Sequence, residues 1–342
     1  MPEKGRAFLK LSYFLKAPTA LLPQGYPLGF DEVELRNADG RNQRALAIAA
    51  SGDGKMEVRE DDRFLTVEGE RFRYRLNKLT GLWQSMTWEG RELLAKPMEM
   101  NLWRAPTDND QNEKAHWYRA CYHLAGARAY DTVWEWAGEE LRIRSTAAVT
   151  AITVQRILEG EISWVVRPGG EILARVKMAR NPEFPMLPRF GLRLFLPNEM
   201  DRVRFYGLGP GESYADKRRA SSHGCYESAV GEQHEDYLKP QENGSHADCD
   251  YVIVEGDGLS LAAVGEETFC FNISPYTQEE LTEKQHSFEL EESGYTVLCL
   301  DAAQTGIGSN SCGPRLEERY RLEPQGFDFR LRLVPGYREE RR

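Results

Sequence analysis

Four stretches of the 342-residue chain gather side chains able to do chemistry. In LWRAPTDND, residues 102–110, Trp103 and Arg104 precede the short polar side chains Asp108, Asn109 and Asp110. Carboxylates, amides and guanidinium groups hydrogen-bond vicinal hydroxyls while an indole stacks on a sugar face, so one reading is carbohydrate recognition. The other is a loop whose Asp and Asn side chains cap neighbouring backbone groups. In YGLGPGESYADKR, residues 206–218, the glycines mimic a phosphate loop, but no helix follows and Lys217 is not at P-loop spacing. The stretch reads as a glycine-rich bend followed by surface charge pairs.

In YLKPQENGSHAD, residues 237–248, Glu242, Asn243, His246 and Asp248 crowd together. On a flat strand 242, 246 and 248 would share a face, which could hold a metal or an acid–base pair; Gly244 interrupts such a strand, and a polar cluster at a cleft edge is the plainer reading. The six histidines form no HxH or HExxH pattern, so no dedicated metal site is expected. In GIGSNSCGP, residues 306–314, Asn310 and Cys312 sit in a loop small enough to approach a ligand closely. Cys312 has no nearby histidine and Ser309 and Ser311 have no GxSxG setting, so a passive thiol and no nucleophile are expected.

Strands must position these loops. Period-two alternation of apolar and polar residues marks 8–15, 72–76 and 327–333, and turn formers separate such runs at 38–40, 51–54, 167–170 and 255–258. Only 111–125 and 277–284 look briefly helical, so an all-β sandwich or barrel is expected. A small, polar, glycine-bearing stretch near 48–62 marks a boundary, giving a piece at 1–50, a linker at 51–63 and a large β domain at 64–342. Two or three strands in the first piece are too few for a sandwich, so it reads as part of a truncated domain.

Composition narrows the partners. A formal charge of -10, from 44 Lys and Arg against 54 Asp and Glu, with no basic stripe, disfavours nucleic acid and anionic membranes. No apolar run reaches the roughly 18–20 residues of a spanning helix, and Lys10 and Lys16 break the signal-like N-terminus. Six scattered cysteines without a CxxC pair are expected to be reduced thiols of a cytoplasmic protein.

The four motifs, with FNISPYTQEEL at 271–281, occur in the order and spacing of the C-terminal domain of glycoside hydrolase family 2 β-galactosidases, which residues 60–337 resemble. AFLKLSYFLK and GFDEVEL resemble the last strands of the immunoglobulin-like domain that precedes it. The resemblance implies a large antiparallel supersandwich, similar to galactose mutarotase, whose concave side faces a catalytic barrel. In that barrel one carboxylic acid protonates the leaving oxygen, and a carboxylate about 5–5.5 Å away forms a glycosyl-enzyme, the retaining mechanism. The catalytic carboxylates and magnesium ligands belong to the barrel, and no position here matches them, so no catalytic residue and no cofactor are expected in this chain.

The implied partners are that barrel, a β-galactoside and further copies of the enzyme. Two-chain β-galactosidases have a small subunit resembling residues 60–337, whereas the partial domain at 1–50 points to a piece cut from a longer chain. Cys312 stands where well-known members place a tryptophan that stacks on the sugar, and a thiol has no aromatic face. The expected carbohydrate-facing set is thus Trp103, Arg104, Asp108, Asn109, Asp110, Glu242, Asn243, His246, Asn310 and Cys312. Alternatives are a stand-alone aldose mutarotase or epimerase using His246 with Glu242, and a carbohydrate-binding module.

Overall fold

The computed structural model describes residues 5–38 and 54–337. These form nineteen strands in three antiparallel sheets. β1 (Gly5–Phe14) and β2 (Pro27–Ala38) make a ribbon. β3 (Glu57–Glu60), β4 (Phe64–Glu68), β5 (Phe72–Asn77), β6 (Leu82–Trp88) and β7 (Arg91–Glu92) follow one another as a five-stranded meander. The third sheet holds β8 (Lys96–Asn101), β9 (Gly126–Ala137), β10 (Glu140–Thr150), β11 (Leu158–Val166), β12 (Ile172–Arg180) and β13 (Arg189–Pro197). It continues with β14 (Arg202–Gly209), β15 (Ser222–Ala229), β16 (Ser245–Gly256), β17 (Leu259–Ser274), β18 (Tyr295–Gln304) and β19 (Gly326–Pro335).

β17 gives the sheet its shape. Its first half, Leu261 to Gly265, pairs with β19, while Cys270 to Ser274 pair with β18. The sheet therefore splits at this strand into a β19-β12-β11-β10-β9 branch and a β18-β13-β8 branch. Phe190 of β13 stacks on Phe327 of β19 at 4.0 Å, closing the two branches over a shared core. The meander packs on the same inner face of the first branch: Trp83 meets Trp164 at 5.5 Å, and the Trp164 indole N–H donates to the Gly81 carbonyl at 2.8 Å. The chain is thus a large antiparallel β supersandwich.

The alternation read at 72–76 and 327–333 places the side chains as a half-buried strand requires, whereas the run at 8–15 forms a strand whose side chains from Leu9 to Phe14 are exposed on both faces. In β5, Phe72, Tyr74 and Leu76 point inward; in β19, Phe327, Phe329, Leu331 and Leu333 do. The turn at 255–258 closes the β16–β17 hairpin with Asp257 at φ 45° and Gly258 at φ 75°, the two left-handed residues of a type I′ turn. The helical stretches are short, α1 (Lys114–Arg119) and α2 (Gln278–Glu283). The Thr277 hydroxyl caps α2 by accepting from the Glu280 N–H at 3.1 Å. No helix among the described residues is long and apolar enough to cross a membrane.

The turns expected at 38–40 and 51–54 lie largely outside the described residues, as does the first part, 48–53, of the 48–62 boundary. Of the 51–63 stretch expected as a linker, Glu57–Glu60 is already strand, hydrogen-bonded to β4.

Candidate functional site

The motifs, up to about two hundred residues apart in sequence, meet at one end of the supersandwich. Where the chain leaves β8, Thr107 donates to Asp110 Oδ2 through its backbone N–H (2.9 Å) and its hydroxyl (3.1 Å), tightening 108–110 into one helical turn. Arg104 clasps the same carboxylate, Nη2 to Oδ1 at 2.6 Å and Nε to Oδ2 at 3.1 Å. Its remaining N–H groups donate to the carbonyls of Thr305 and Gly306. Asn109 Nδ2 donates to the Ile307 carbonyl at 2.6 Å and Asn112 Nδ2 to the Asn310 carbonyl at 2.9 Å, so the first motif is stapled along the last.

The other two motifs close the cluster. Asp216 accepts from the N–H groups of Ile307 (3.0 Å) and Gly308 (2.7 Å). The Asp108 N–H donates to Gln241 Oε1 at 3.0 Å, and the Glu242 N–H to the Ala105 carbonyl at 3.0 Å. The Gly244 N–H donates to Glu212 Oε2 at 2.9 Å. Only glycine fits there: φ is +67°, and a Cβ would lie 2.1 Å from the Gln233 carbonyl oxygen.

Under these loops lies a wholly buried ion network. Arg189 at the start of β13 reaches Asp301 of β18 (Nη2 to Oδ2, 2.6 Å) and Glu242 (Nη1 to Oε2, 3.2 Å). Gln304 donates to Asp301 Oδ2 at 3.2 Å and to the Ser245 hydroxyl at 2.7 Å. Burial opposes charge on every member, and the flanking carboxylates hold Arg189 cationic. Burial pushes the Glu242 carboxyl up, and the Arg189 and Arg104 charges oppose that only in part.

Most of the expected carbohydrate-facing residues turn out to be enclosed. Trp103 is 4% exposed; its indole N–H donates to the Thr282 hydroxyl at 3.2 Å, and Trp117 and Tyr118 pack on it edgewise at 6.5 and 5.1 Å. No ring face remains open for a sugar. Arg104 and Asp110 spend their polar atoms on each other and on the loops. Asn243 stitches its own loop, accepting from the Glu235 N–H and donating to the Gln241 carbonyl, both at 2.9 Å. Asn310 is buried at φ 91°. Asp108 and Cys312 are exposed and Asn109 half-buried, so these three rim the cluster.

Glu242, His246 and Asp248 do not form one constellation. Glu242 belongs to Arg189. His246 is buried between Phe205 (4.3 Å) and Phe271 (5.0 Å), its Nδ1–H donating to the Leu208 carbonyl at 3.0 Å and its Nε2 against the Gln233 side-chain amide. Burial takes its pKa down to about 4, so the ring is neutral. Asp248 sits at φ 56° in a bulged part of β16 and turns to Arg6 and His223. The bulge breaks the two-residue period on which a shared face depended. Among the described residues no group of three or more His, Cys, Asp or Glu side chains is placed to hold a metal ion.

Sequence reading missed Arg189, Asp301 and Gln304. Their signal is a charge or amide set among apolar strand residues, as Asp301 after Val297 to Leu300, where a solvated loop residue would not stand.

An all-β supersandwich with one loop-locked end is the class of protein defined here. Residues 68–333 match the β-galactosidase small chain family, and the chain belongs to that family. It is 39% identical to a β-galactosidase of Actinobacillus pleuropneumoniae over 326 residues, covering 95% of this chain and 32% of that protein. A β-galactosidase of Staphylococcus xylosus is 32% identical over 324 residues, again covering 94% of this chain and 32% of its own length. The chain thus spans about a third of the length of these relatives. Among solved structures, a galactose mutarotase-like protein from Lactobacillus casei aligns with 80% of the chain at a TM-score of 0.44 and 9% identity.

Proposed function

We propose that this chain is the non-catalytic C-terminal portion of a β-galactosidase that hydrolyses terminal β-galactosides with retention, the carboxylate pair coming from a barrel outside it. The observation that carries this reading is coverage: nearly the whole chain aligns with only a third of each β-galactosidase relative. The loop cluster gives it a task. Asp108, Asn109 and Cys312 rim the substrate site, while Trp103, Arg104, Asp110, Glu242, Asn243, His246 and Asn310 hold those loops in register with the barrel. The same domain contributes to contacts between copies of the enzyme. The magnesium implied by the resemblance is assigned, with its ligands, to the barrel.

The test is hydrolysis of a chromogenic β-galactoside by the chain alone and after mixing with the separately produced barrel portion. Activity only in the mixture is expected; hydrolysis by the chain alone would overturn the reading. The mutarotase alternative loses its acid–base pair here, because His246 is neutral and enclosed and Glu242 is locked on Arg189. Galactose anomerisation by the isolated chain would revive it. Galactoside binding by the isolated chain without complementation would instead favour a carbohydrate-binding module.

A further inference from the structure

Of the four motifs, 206–218 supplies no residue to the assignments made so far, although it reaches two of the rim loops. Tyr214 and Lys217 exchange backbone hydrogen bonds, N–H to carbonyl at 2.9 and 3.1 Å, which closes a tight turn with Asp216 at its bend. The wholly buried Tyr214 side chain roots that turn in the domain. Glu212, nearly buried just before the turn, is tied back to it by the Lys217 ammonium. Each of the two carboxylates is then spent on a different loop.

Glu212 holds the 237–244 loop at both ends, Oε1 accepting from the Tyr237 hydroxyl and Oε2 from the Gly244 N–H at 2.9 Å. Asp216 holds the foot of the 306–314 loop, its two oxygens accepting from the consecutive N–H groups of Ile307 and Gly308 at 3.0 and 2.7 Å. The approach is close enough that a Cβ on Gly306 would lie 2.6 Å from the Asp216 carboxylate. Arg104 and Asn109 fix the carbonyls of residues 305 to 307. Among the described residues the tip from Ser309 to Pro314 has one further hydrogen-bonded tie, from Asn112 to the Asn310 carbonyl at 2.9 Å. The tip that carries Cys312 therefore leaves the domain in the direction its foot gives it. Gly308 is exposed, so without Asp216 its N–H would find water; the carboxylate contributes direction more than stability.

We propose that Glu212 and Asp216 are positioning residues for galactoside hydrolysis, a hub that spaces the 237–244 and 306–314 loops around the substrate; this rests on the reading of the loop end as part of a β-galactosidase site. Neither touches the reacting atoms, which meet the carboxylate pair of the barrel. Their contribution is to the fit of the bound galactoside: a rim displaced by about an ångström binds it less well but delivers it to the same carboxylates. Asp216 is the sharper probe, because it is half-buried where Glu212 is packed. Asparagine in its place keeps the size and one acceptor but turns an N–H₂ group toward a loop N–H.

The test is hydrolysis of a chromogenic β-galactoside by the native chain, Asp216→Ala, Asp216→Asn and Arg219→Ala, each mixed with the barrel portion, together with amide exchange of each chain alone. Both Asp216 variants raise KM by about tenfold with kcat within about twofold, and their Ile307 and Gly308 amides exchange faster while β16 and β17 stay protected. Arg219→Ala, which removes an exposed charge beside the same turn, changes neither. An unchanged KM in an active variant mixture overturns the hub, and so does equal exchange at 307 and 308. Faster exchange in β16 and β17 as well would make Asp216 a prop of the whole fold, and the proposal falls. An inactive native mixture sinks the underlying reading instead, with the exchange measurement still deciding whether Asp216 holds the loop.

Discussion

The ribbon of β1 and β2 and the supersandwich distribute apolar and charged side chains in opposite ways. In the ribbon Leu9, Leu11, Tyr13, Leu28 and Val33 are exposed, and the grip on the rest of the molecule is polar. Arg6 reaches Asp248 at 3.0 Å and Asp250 at 3.4 Å, and Lys10 donates to the Ser222 hydroxyl at 2.8 Å. His223 sits between Glu32 (2.6 Å) and Asp248 (3.0 Å) with Phe8 stacked on its ring at 4.0 Å. In the supersandwich most large apolar side chains are inside, with exceptions such as Trp136 and Ile152, and the ions of the loop end are buried with them. Two strands have no second sheet to bury a face against, so their attachment must come from directed polar contacts. The larger body holds together by burial, and its ions serve the loops.

That contrast can be broken from either side. The largest effect is expected from Arg189→Ala, which strands Asp301 and Glu242 without a counter-charge; urea unfolding should show a loss of about 3–5 kcal/mol. A loss below about 1 kcal/mol would mean the network is not integral to the domain. His246 contributes next. Its folded pKa lies below the unfolded value, so its contribution is complete above the unfolded pKa of about 6.5 and is lost as pH falls through about 4. Stability measured across that window should drop by about 3 kcal/mol, and a substitution that removes the ring should flatten this part of the profile.

The ribbon should respond separately. Arg6→Ala removes charge-assisted hydrogen bonds that contribute about 1.5–3 kcal/mol, and amide exchange should accelerate in β1 and β2 while β10 to β12 stay protected. Acid should mimic it. Burial alone would raise the Asp248 carboxyl, but hydrogen bonds from His223 and Arg6 and their charges outweigh burial and hold it well below the usual range. A depressed carboxylate stabilises the docked state above its unfolded pKa and loses that contribution as pH falls through the folded one, so docking should persist until well below pH 4. The smallest effect belongs to Gly258→Ala in the β16–β17 turn, about 1 kcal/mol from the left-handed backbone alone, since the new Cβ would meet nothing closer than 3.7 Å.

Much of the fold was legible because strand patterning is local. Phe72 to Leu76 and Phe327 to Leu333 alternate in sequence and alternate in space, and Asp257-Gly258 makes the turn its residue types favour. The motifs were legible as special, but not what each side chain in them does. Trp103 and Arg104 have the residue types of a sugar site and became core and clasp, because Thr282, Trp117 and Asp110 happened to be their neighbours.

By itself, then, the sequence determined an all-β chain, its short helices, its turn at 255–258 and, through the order of its motifs, its family. Tertiary structure alone decided which polar residues face solvent at the loop end and which are sealed beneath it. Periodicity and turn chemistry act between residues a few positions apart. Burial and ion pairing join Arg189 to Asp301 and Arg104 to Thr305, across one to two hundred residues, and depend on where β17 splits the sheet.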